Sequence, residues 1–95
     1  MLNRKQYLLL CFIEELGEVQ KEAIKCLRFG PHHSPMEGHD TNFERLAGEW
    51  SELVGIMELM AKEGLEVEEI DSLINYKIKR TEDYYNISKA LGQAE

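Results

Sequence analysis

The sequence predicts an all-α fold, an antiparallel bundle of three main helices, and three observations support this prediction. Apolar residues recur at helical spacing through most of the chain, whereas no stretch alternates apolar and polar residues as a strand does. Helix-favouring residues dominate the composition, and only two prolines occur. A chain of 95 residues has room for a single hydrophobic core. We therefore expect one domain spanning residues 1–95.

The first helix is expected at residues 3–28, because the Gly-Pro pair at 30–31 is a strong helix breaker. Residues 30–41 contain two prolines, two glycines and three histidines and are expected to form a loop. The histidines lack the spacing of a structural zinc site. Cys11 and Cys26 fall in the first helix, about 22 Å apart along its axis. We expect them to be free thiols in a reducing cytoplasm, and intermolecular bridges are the alternative.

The second helix is expected at residues 42–63, with Asn42 as its N-cap and Gly64 as its C-terminal stop. The third is expected at residues 67–90 and ends before Gly92. No stretch approaches the roughly 20 apolar residues of a membrane span. The net charge of −7 argues against a free-standing nucleic-acid binder, which normally carries a basic excess. We therefore expect neither a membrane nor a nucleic acid as partner.

Two glutamate pairs, Glu15-x-x-Glu18 and Glu49-x-x-Glu52, lie on helix stripes where apolar residues would be expected. Residues three apart are neighbours on one helix face, where like charges destabilise the helix. If the two pairs face each other, a divalent cation is the natural way to neutralise them. Carboxylate oxygens suit Mg²⁺ or Mn²⁺. The alternative is that all four are ordinary solvent-exposed helix glutamates.

Each helix carries an apolar stripe that we expect to face the core. Along the second helix the flank of the stripe changes from glutamates to Ile56 and Leu59, which indicates an inward polar site capping an apolar core. Gly17 and Gly48 adjoin the acidic residues and predict a close approach of the helices there. The expected inward residues, helix by helix, are Leu8, Phe12, Leu16, Val19, Ala23 and Leu27; Phe43, Leu46, Trp50, Leu53, Val54, Met57 and Met60; Val67, Ile70, Ile74, Ile78 and Tyr85.

Cationic residues of the third helix suit a phosphate-bearing ligand. Lys77, Arg80 and Tyr84 follow one another at i, i+3 and i+7 and would form a contiguous patch. Proteins hold a polyphosphate between a metal ion on one side and cationic side chains on the other. Ordinary surface placement of these long side chains is the alternative. Lys25 and Arg28, beyond the acidic residues of the first helix, are weaker candidates for the same role.

Three segments resemble the MazG-like all-α nucleoside triphosphate pyrophosphohydrolases, in particular the short single-domain forms of bacteria and phages. They are EELGEVQKE at 14–22, KCLRFG at 25–30 and NFERLAGEWSELV at 42–54. The resemblance extends over nearly the whole chain. It implies hydrolysis of a (deoxy)nucleoside triphosphate to monophosphate and pyrophosphate. It also implies a homodimer or tetramer, in which oligomerisation completes the three-helix bundle as a MazG-like four-helix core.

The resemblance further implies that Mg²⁺, or Mn²⁺, is held by Glu15, Glu18, Glu49 and Glu52. The family usually has Asp where this chain has Glu52, and Glu is one methylene longer. A catalytically weak or inactive relative that binds nucleotide or metal is therefore an alternative. A second alternative is a helical oligomerisation module whose acidic face docks a basic partner.

The remaining roles follow from the same reaction. Glu14 or Glu22 would orient or deprotonate the attacking water, and the sequence does not choose between them. Lys77 and Arg80 would neutralise the phosphates, and Tyr84 would pack against the base. Trp50 is a further candidate for stacking, although its place on the main apolar stripe favours the core. The sequence leaves the base, the sugar and the number of metal ions open.

Overall fold

The computed structural model describes all 95 residues and contains three α-helices and no strand. Helix α1 spans Arg4–Phe29, α2 spans Asn42–Lys62 and α3 spans Asp71–Ala90. The predicted all-α class and the number of helices are confirmed. The expected bounds of α1 and α2 differ by at most one residue at each end, whereas α3 begins four residues later than expected. None of the three helices combines the length and the hydropathy needed to cross a lipid bilayer.

Capping boxes fix the starts of α1 and α2. The Asn3 side chain accepts a hydrogen bond from the Gln6 N–H at 2.8 Å, and the Gln6 side chain accepts one from the Asn3 N–H at 3.0 Å. Thr41 and Glu44 make the same reciprocal pair, with both distances 3.1 Å. The Thr41 N–H, and then its hydroxyl, hold the pKa of Glu44 below its ordinary value. Each box satisfies backbone donors that the first helical turn leaves unpaired.

Asn42 has a different role from the expected one. Thr41 is the N-cap of α2, so the prediction that Asn42 caps the helix is wrong by one residue. Asn42 is buried, and its side-chain amide donates to the Gly30 carbonyl at 3.0 Å. Nearby, the Asn42 N–H donates to the His33 carbonyl at 2.9 Å and the Phe43 N–H donates to the Pro31 carbonyl at 2.8 Å. These three bonds fasten the start of α2 to Gly30 at the end of α1 and to the first residues of the loop.

Helices α1 and α2 form an antiparallel hairpin, and they are the only two helices that pack together. The hydrophobic core is small and consists of Leu8, Leu53 and Met60. At the open end of the hairpin, the exposed Arg4 side chain forms an ion pair of 2.5 Å with the half-buried Glu63. An exposed pair of this kind contributes at most about 1 kcal/mol. Both cysteines are free and half-buried, as expected.

The residues of α1 that contact α2 lie at one edge of the predicted apolar stripe and not at its centre. Leu8 is buried, whereas Leu16 and Leu27 were expected inside and lie outside, Leu27 with 89% of its surface exposed. Glu15 is half-buried and Glu22 is buried, so glutamates occupy part of the interface. The apolar surface of α1 is wider than one partner helix can cover, and the hairpin covers only one side of it.

In helix α2, too, only one edge of the predicted apolar stripe is buried. Leu53 and Met60 are buried, but Phe43, Val54 and Trp50 are exposed, Trp50 by 54%. The expectation that Trp50 belongs to the core is therefore wrong for the single chain. As in α1, the residues that meet the partner helix form only one edge of the predicted stripe.

Helix α3 packs against neither α1 nor α2 and has no buried residue. The expectation that its apolar stripe faces inward is wrong within one chain. Its late start has a local cause, because residues 65–70 offer no Ser, Thr, Asp or Asn to cap an earlier turn. Ile70 takes the N-cap position in an extended conformation and makes no side-chain capping bond. Asp71 then lies in the first turn, where a negative charge stabilises a helix.

The isolated chain exposes more surface than a folded monomer of its size. Its accessible surface is 7837 Å² for 11.0 kDa, against about 5,600 Å² for a compact monomer of that mass. The radius of gyration is 17.3 Å, against about 12 Å for a compact domain of this length. Roughly 2,200 Å² is therefore exposed in excess of the usual relation.

The mid-helix glycines are not explained by contacts within the chain. A methyl group added at Gly17 or Gly48 meets no atom within 4 Å. The expected close approach of helices at these glycines is therefore wrong within one chain. Gly55 is equally open, whereas Gly64 has a φ of +84° and ends α2 in the left-handed region that favours glycine.

Replacing Gly55 by Ala is expected to raise the free energy of unfolding by about 1 kcal/mol, because Ala favours the helix and its methyl has open space. The matched control is Gly64→Ala, which is expected to lower it by about 1 kcal/mol because Ala disfavours a positive φ. Urea unfolding of both variants and the wild type measures the two signs. A loss of stability in Gly55→Ala would contradict the open environment of this glycine.

Candidate metal centre

Three glutamates meet where the middle of α1 crosses the first half of α2. Glu15 comes from α1, and Glu49 and Glu52 come from α2. One carboxylate oxygen of each lies within 4.8 Å of the other two. Glu15 and Glu49 are half-buried and Glu52 is exposed, so the cluster sits at the edge of the interface and opens to solvent. The antiparallel packing of the hairpin is what brings the two predicted pairs together.

Glu18, the fourth predicted metal ligand, lies beside this cluster rather than in it. It is exposed and is not among the three carboxylates that converge. Its charge nevertheless acts on Glu49. Glu18 is therefore at the rim of the acidic cluster, one helical turn from Glu15.

The crowding of the carboxylates changes the pKa of Glu49. Desolvation raises the pKa of Glu49 above its ordinary value, and repulsion from Glu52, Glu18 and Glu15 raises it further. Glu52 also shares a hydrogen bond with Glu49, which acts in the same direction. The ion pairs of the chain join Arg4 to Glu63, Lys25 to Glu22 and Lys79 to Asp83, and none of them neutralises the cluster.

The three carboxylates fit a divalent cation. Opposite ligands of an octahedral Mg²⁺ lie about 4.2 Å apart, given bonds of about 2.1 Å. Oxygens already within 4.8 Å can converge on such an ion through small side-chain movements. The second oxygen of Glu15, Oε2, is buried and has no hydrogen-bond partner. An unpaired buried oxygen is costly.

The two candidates for general base occupy different environments. Glu14 is exposed, and it precedes Glu15 in the chain. Glu22 is buried, with only 6% of its surface exposed, and its Oε1 accepts a hydrogen bond from Lys25 Nζ at 3.3 Å. Its Oε2 has no partner. Because Glu22 lies seven residues beyond Glu15, it is about 10 Å further along α1 and outside the three-carboxylate cluster.

Lys77, Arg80 and Tyr84 are not brought to the cluster within one chain, because α3 contacts neither helix of the hairpin. Arg80 and Tyr84 do form a unit: the Arg80 Nη2 donates to the Tyr84 hydroxyl at 2.9 Å, and the guanidinium lies 5.0 Å from the ring centroid. Arg80 also stacks over Tyr76 at 5.7 Å. Lys77 instead lines a surface groove of about 660 Å³ that contains Thr81 and neither Arg80 nor Tyr84.

Two further cationic residues, Lys25 and Arg45, line a cleft at the loop end of the hairpin, and the sequence pattern did not single out Arg45. A cleft of about 360 Å³ lies between the end of α1 and the start of α2; its lining residues are Lys25, Phe29, His33, Pro35, Asn42 and Arg45. Arg45 is half-buried and lies one turn before Glu49, about 6 Å along the helix. The spacing of four between Arg45 and Glu49 was visible in the sequence and indicates a shared face. Arg28 lies against the Phe29 ring, 5.9 Å from its centroid, and does not line this cleft.

Replacing Glu49 by Gln is expected to stabilise the metal-free protein at pH 7. Because folding raises the pKa of Glu49, the protonated carboxyl favours the fold, and this contribution is lost as the pH rises through the raised pKa. The advantage of Glu49→Gln should therefore shrink as the pH falls from 7 towards the ordinary value of 4.5. Thermal unfolding in EDTA at several pH values measures this trend.

Glu58→Gln is the control for this prediction, because Glu58 is exposed on the same helix and outside the cluster. It should show no comparable gain. A Glu49→Gln protein less stable than the wild type at pH 7 in EDTA would contradict the repulsion inferred for the cluster.

Comparison of the chain with models of protein families gives no match. No curated protein and no solved structure matches it either. The chemistry of its residues, with an acidic cluster in the hairpin and a cation-lined cleft at the loop end of the same hairpin, is therefore what a function has to explain.

Proposed function

We propose that the protein is a metal-dependent nucleoside triphosphate pyrophosphohydrolase, which releases a nucleoside monophosphate and pyrophosphate. The convergence of Glu15, Glu49 and Glu52 in the hairpin is the observation that carries the proposal. Glu18 at the rim would supply a fourth carboxylate. The resemblance of the surrounding segments to MazG-like enzymes points to the same reaction and to Mg²⁺ or Mn²⁺ as the ion.

A divalent cation held here would place positive charge against the phosphoryl oxygens and make a nearby water more acidic. The carboxylates of the chain bind and orient; the water oxygen forms a bond to the α-phosphorus while the bond from that phosphorus to the bridging oxygen breaks. The proton of the water passes to a carboxylate, for which Glu14 and Glu22 are the two candidates. Pyrophosphate leaves with the bridging oxygen.

The polyphosphate needs cations as well as the metal. Lys25 and Arg45 line a cleft at the loop end of the hairpin, in which Arg45 lies one turn before Glu49, and they would bind phosphate oxygens directly. Helix α3 stands apart from its own hairpin. Its residues Lys77, Arg80 and Tyr84 would therefore contact the nucleotide only if α3 of another protomer reached the site. We therefore propose a homo-oligomer, a dimer or a tetramer, as the working form, with a four-helix core that a single chain does not provide.

A catalytically weak or inactive relative is the second candidate, and Glu52 favours it. Where a MazG-like enzyme usually has Asp, the longer side chain shifts the ligand oxygen by about an ångström, and a misplacement of that size can cost about a hundredfold in rate. A helical oligomerisation module is the third candidate, because many large apolar side chains are exposed. Metal-dependent catalysis separates the first candidate from the other two.

Pyrophosphate release from a panel of canonical and modified nucleoside triphosphates is expected with Mg²⁺ or Mn²⁺ and not with EDTA. Glu15→Gln and Glu49→Gln should each lower kcat/KM by about 10²–10³, because each removes a charge that binds the ion. Glu58→Gln, on the same helix as Glu49, should retain wild-type activity. A folded wild type that hydrolyses nothing in the panel, or a Glu49→Gln variant with full activity, would contradict the proposed reaction.

Mg²⁺ is expected to raise the Tm of the wild type, because the ion binds the folded cluster and not the unfolded chain. In Glu15→Gln the rise should be smaller, because one ligand is lost. Glu52→Asp should keep the metal-dependent rise and increase kcat if the longer side chain limits the rate. Calorimetry with and without Mg²⁺, together with steady-state kinetics, measures both. No metal-dependent change of Tm in the wild type would count against a metal centre.

A further inference from the structure

One buried carboxylate of the hairpin belongs neither to the acidic cluster nor to the lining of the cleft. Only 8% of the Glu22 side chain is exposed. Along α1 this residue follows Glu15 by seven positions and precedes Lys25 by three, so it lies between the cluster and the cleft. Its Oε1 accepts a hydrogen bond from Lys25 Nζ at 3.3 Å, whereas its Oε2 is buried without a partner. Glu22 is therefore a buried charge whose hydrogen-bond partner is a residue of the cleft.

The stability of the hairpin does not explain why Glu22 is buried. A buried carboxylate loses its hydration, and one long hydrogen bond with a second oxygen left unpaired offsets only part of that loss. The interface positions on either side of it, Val19 and Cys26, are uncharged. An apolar side chain of similar size is often at least as stable in such a place. The burial of Glu22 therefore points to a role other than holding the two helices together.

The partner of Glu22 borders two different surfaces. Lys25 lines the cleft at the loop end of the hairpin and also a shallow groove of about 320 Å³ on α1, which Lys21 and Arg28 line as well. The flexible four-carbon stem of lysine lets its ammonium group turn to either side. The hydrogen bond to Glu22 holds it at the helix interface, with 34% of its side chain exposed. Side chains lean towards the N-terminus of their helix, and for Lys25 this is the direction of the acidic cluster.

The position of Glu22 is unsuited to accepting a proton at the cluster. The attacking water has to lie beside the ion, and a general base has to reach it within about 3 Å or through one further water. Glu22 is about 10 Å beyond Glu15 along α1. One of its oxygens is occupied by Lys25, and the other is buried away from solvent. Glu14, in contrast, is exposed and adjoins Glu15 in the chain.

We propose that Glu22 is a positioning residue for Lys25 and does not accept the proton of the attacking water. It holds the ammonium group of Lys25 in the cleft, at the end nearer to the acidic cluster, where this group binds a phosphate oxygen of the substrate. The assignment rests on the proposed function, in which Lys25 is a phosphate ligand. It leaves Glu14 as the carboxylate that takes the proton.

Binding of inorganic pyrophosphate in the presence of Mg²⁺, measured by calorimetry, tests the role of Glu22 without any turnover. Glu22→Gln is expected to weaken this binding about tenfold, because Lys25 loses the charged partner that fixes its place. Removal of a negative charge by itself would strengthen the binding of an anion, so the two explanations predict opposite signs. The Tm of Glu22→Gln should be no lower than that of the wild type, which separates lost positioning from misfolding.

A double variant tests whether Glu22 acts through Lys25. Lys25→Met should weaken pyrophosphate binding at least as much as Glu22→Gln does. The protein with both substitutions should bind no more weakly than Lys25→Met alone, because the positioned group is already absent. Lys21→Met is the matched control, since Lys21 is exposed on the same helix and outside the cleft. It should bind pyrophosphate as the wild type does.

The kinetics of nucleoside triphosphate hydrolysis distinguish a positioning residue from a general base. In Glu22→Gln the KM is expected to rise about tenfold while kcat stays within about threefold of the wild type. In Glu14→Gln the kcat is expected to fall by about 10²–10⁴.

Three results would overturn the role assigned to Glu22. They are a wild type that does not bind pyrophosphate, a Glu22→Gln variant that binds it as tightly as the wild type, and a double variant that binds it more weakly than Lys25→Met alone. A hundredfold loss of kcat in Glu22→Gln at unchanged KM would make Glu22 the base instead. If the wild type hydrolyses no nucleotide, the proposed reaction fails, whereas the pyrophosphate measurements still decide whether Glu22 positions Lys25.

Discussion

The packing of α1 against α2 is the one contact between helices in this chain, and both the core and the acidic cluster depend on it. From the open end of the hairpin to its middle, Leu8, Met60 and Leu53 exclude water. Farther along the same interface Glu15 meets Glu49, so the apolar contact holds together carboxylates that repel each other. Desolvation, and then repulsion from the neighbouring carboxylates, raises the pKa of Glu49. A small core thus opposes the electrostatic cost of the cluster beside it.

Local features of the fold were predictable from the sequence because they depend on nearby residues. Gly30 and Gly64 end α1 and α2 where the sequence indicated. The two glutamate pairs were also identified, since a carboxylate on an apolar stripe departs from the ordinary helix pattern. Their convergence requires that α1 and α2 pack antiparallel. The loop rich in Gly and Pro between them made that arrangement the expected one.

The sequence could not determine which edge of a wide apolar stripe would be buried. Leu16 and Leu27 look like core residues by spacing, yet Glu15 and Glu22 take the interface side of α1. Helical periodicity identifies an apolar surface but not its partner. The same ambiguity affects Arg45, whose place beside Lys25 depends on how the two helices are aligned along their axes.

Because α3 packs against neither α1 nor α2, its cationic residues are not brought to the acidic cluster within one chain. Within α3, Arg80 is held by Tyr76 and Tyr84, so its orientation is set by its own helix and not by the hairpin. The residues that share a side with the acidic cluster are Lys25 and Arg45 instead. One chain therefore offers two separate groups of cations, one on α3 and one on the same side of the hairpin as the carboxylates.

The hydrogen bonds that Asn42 and Phe43 make to the carbonyls of Gly30, Pro31 and His33 separate the loop into a fixed base and a free tip. The base sets how α1 and α2 are aligned, whereas residues 35–38 are exposed. Because the entropy of closing a loop grows only slowly with its length, the tip can accept inserted residues without moving the glutamates. Evolution, or an engineer adding an affinity tag, can thus vary this segment independently of the acidic cluster.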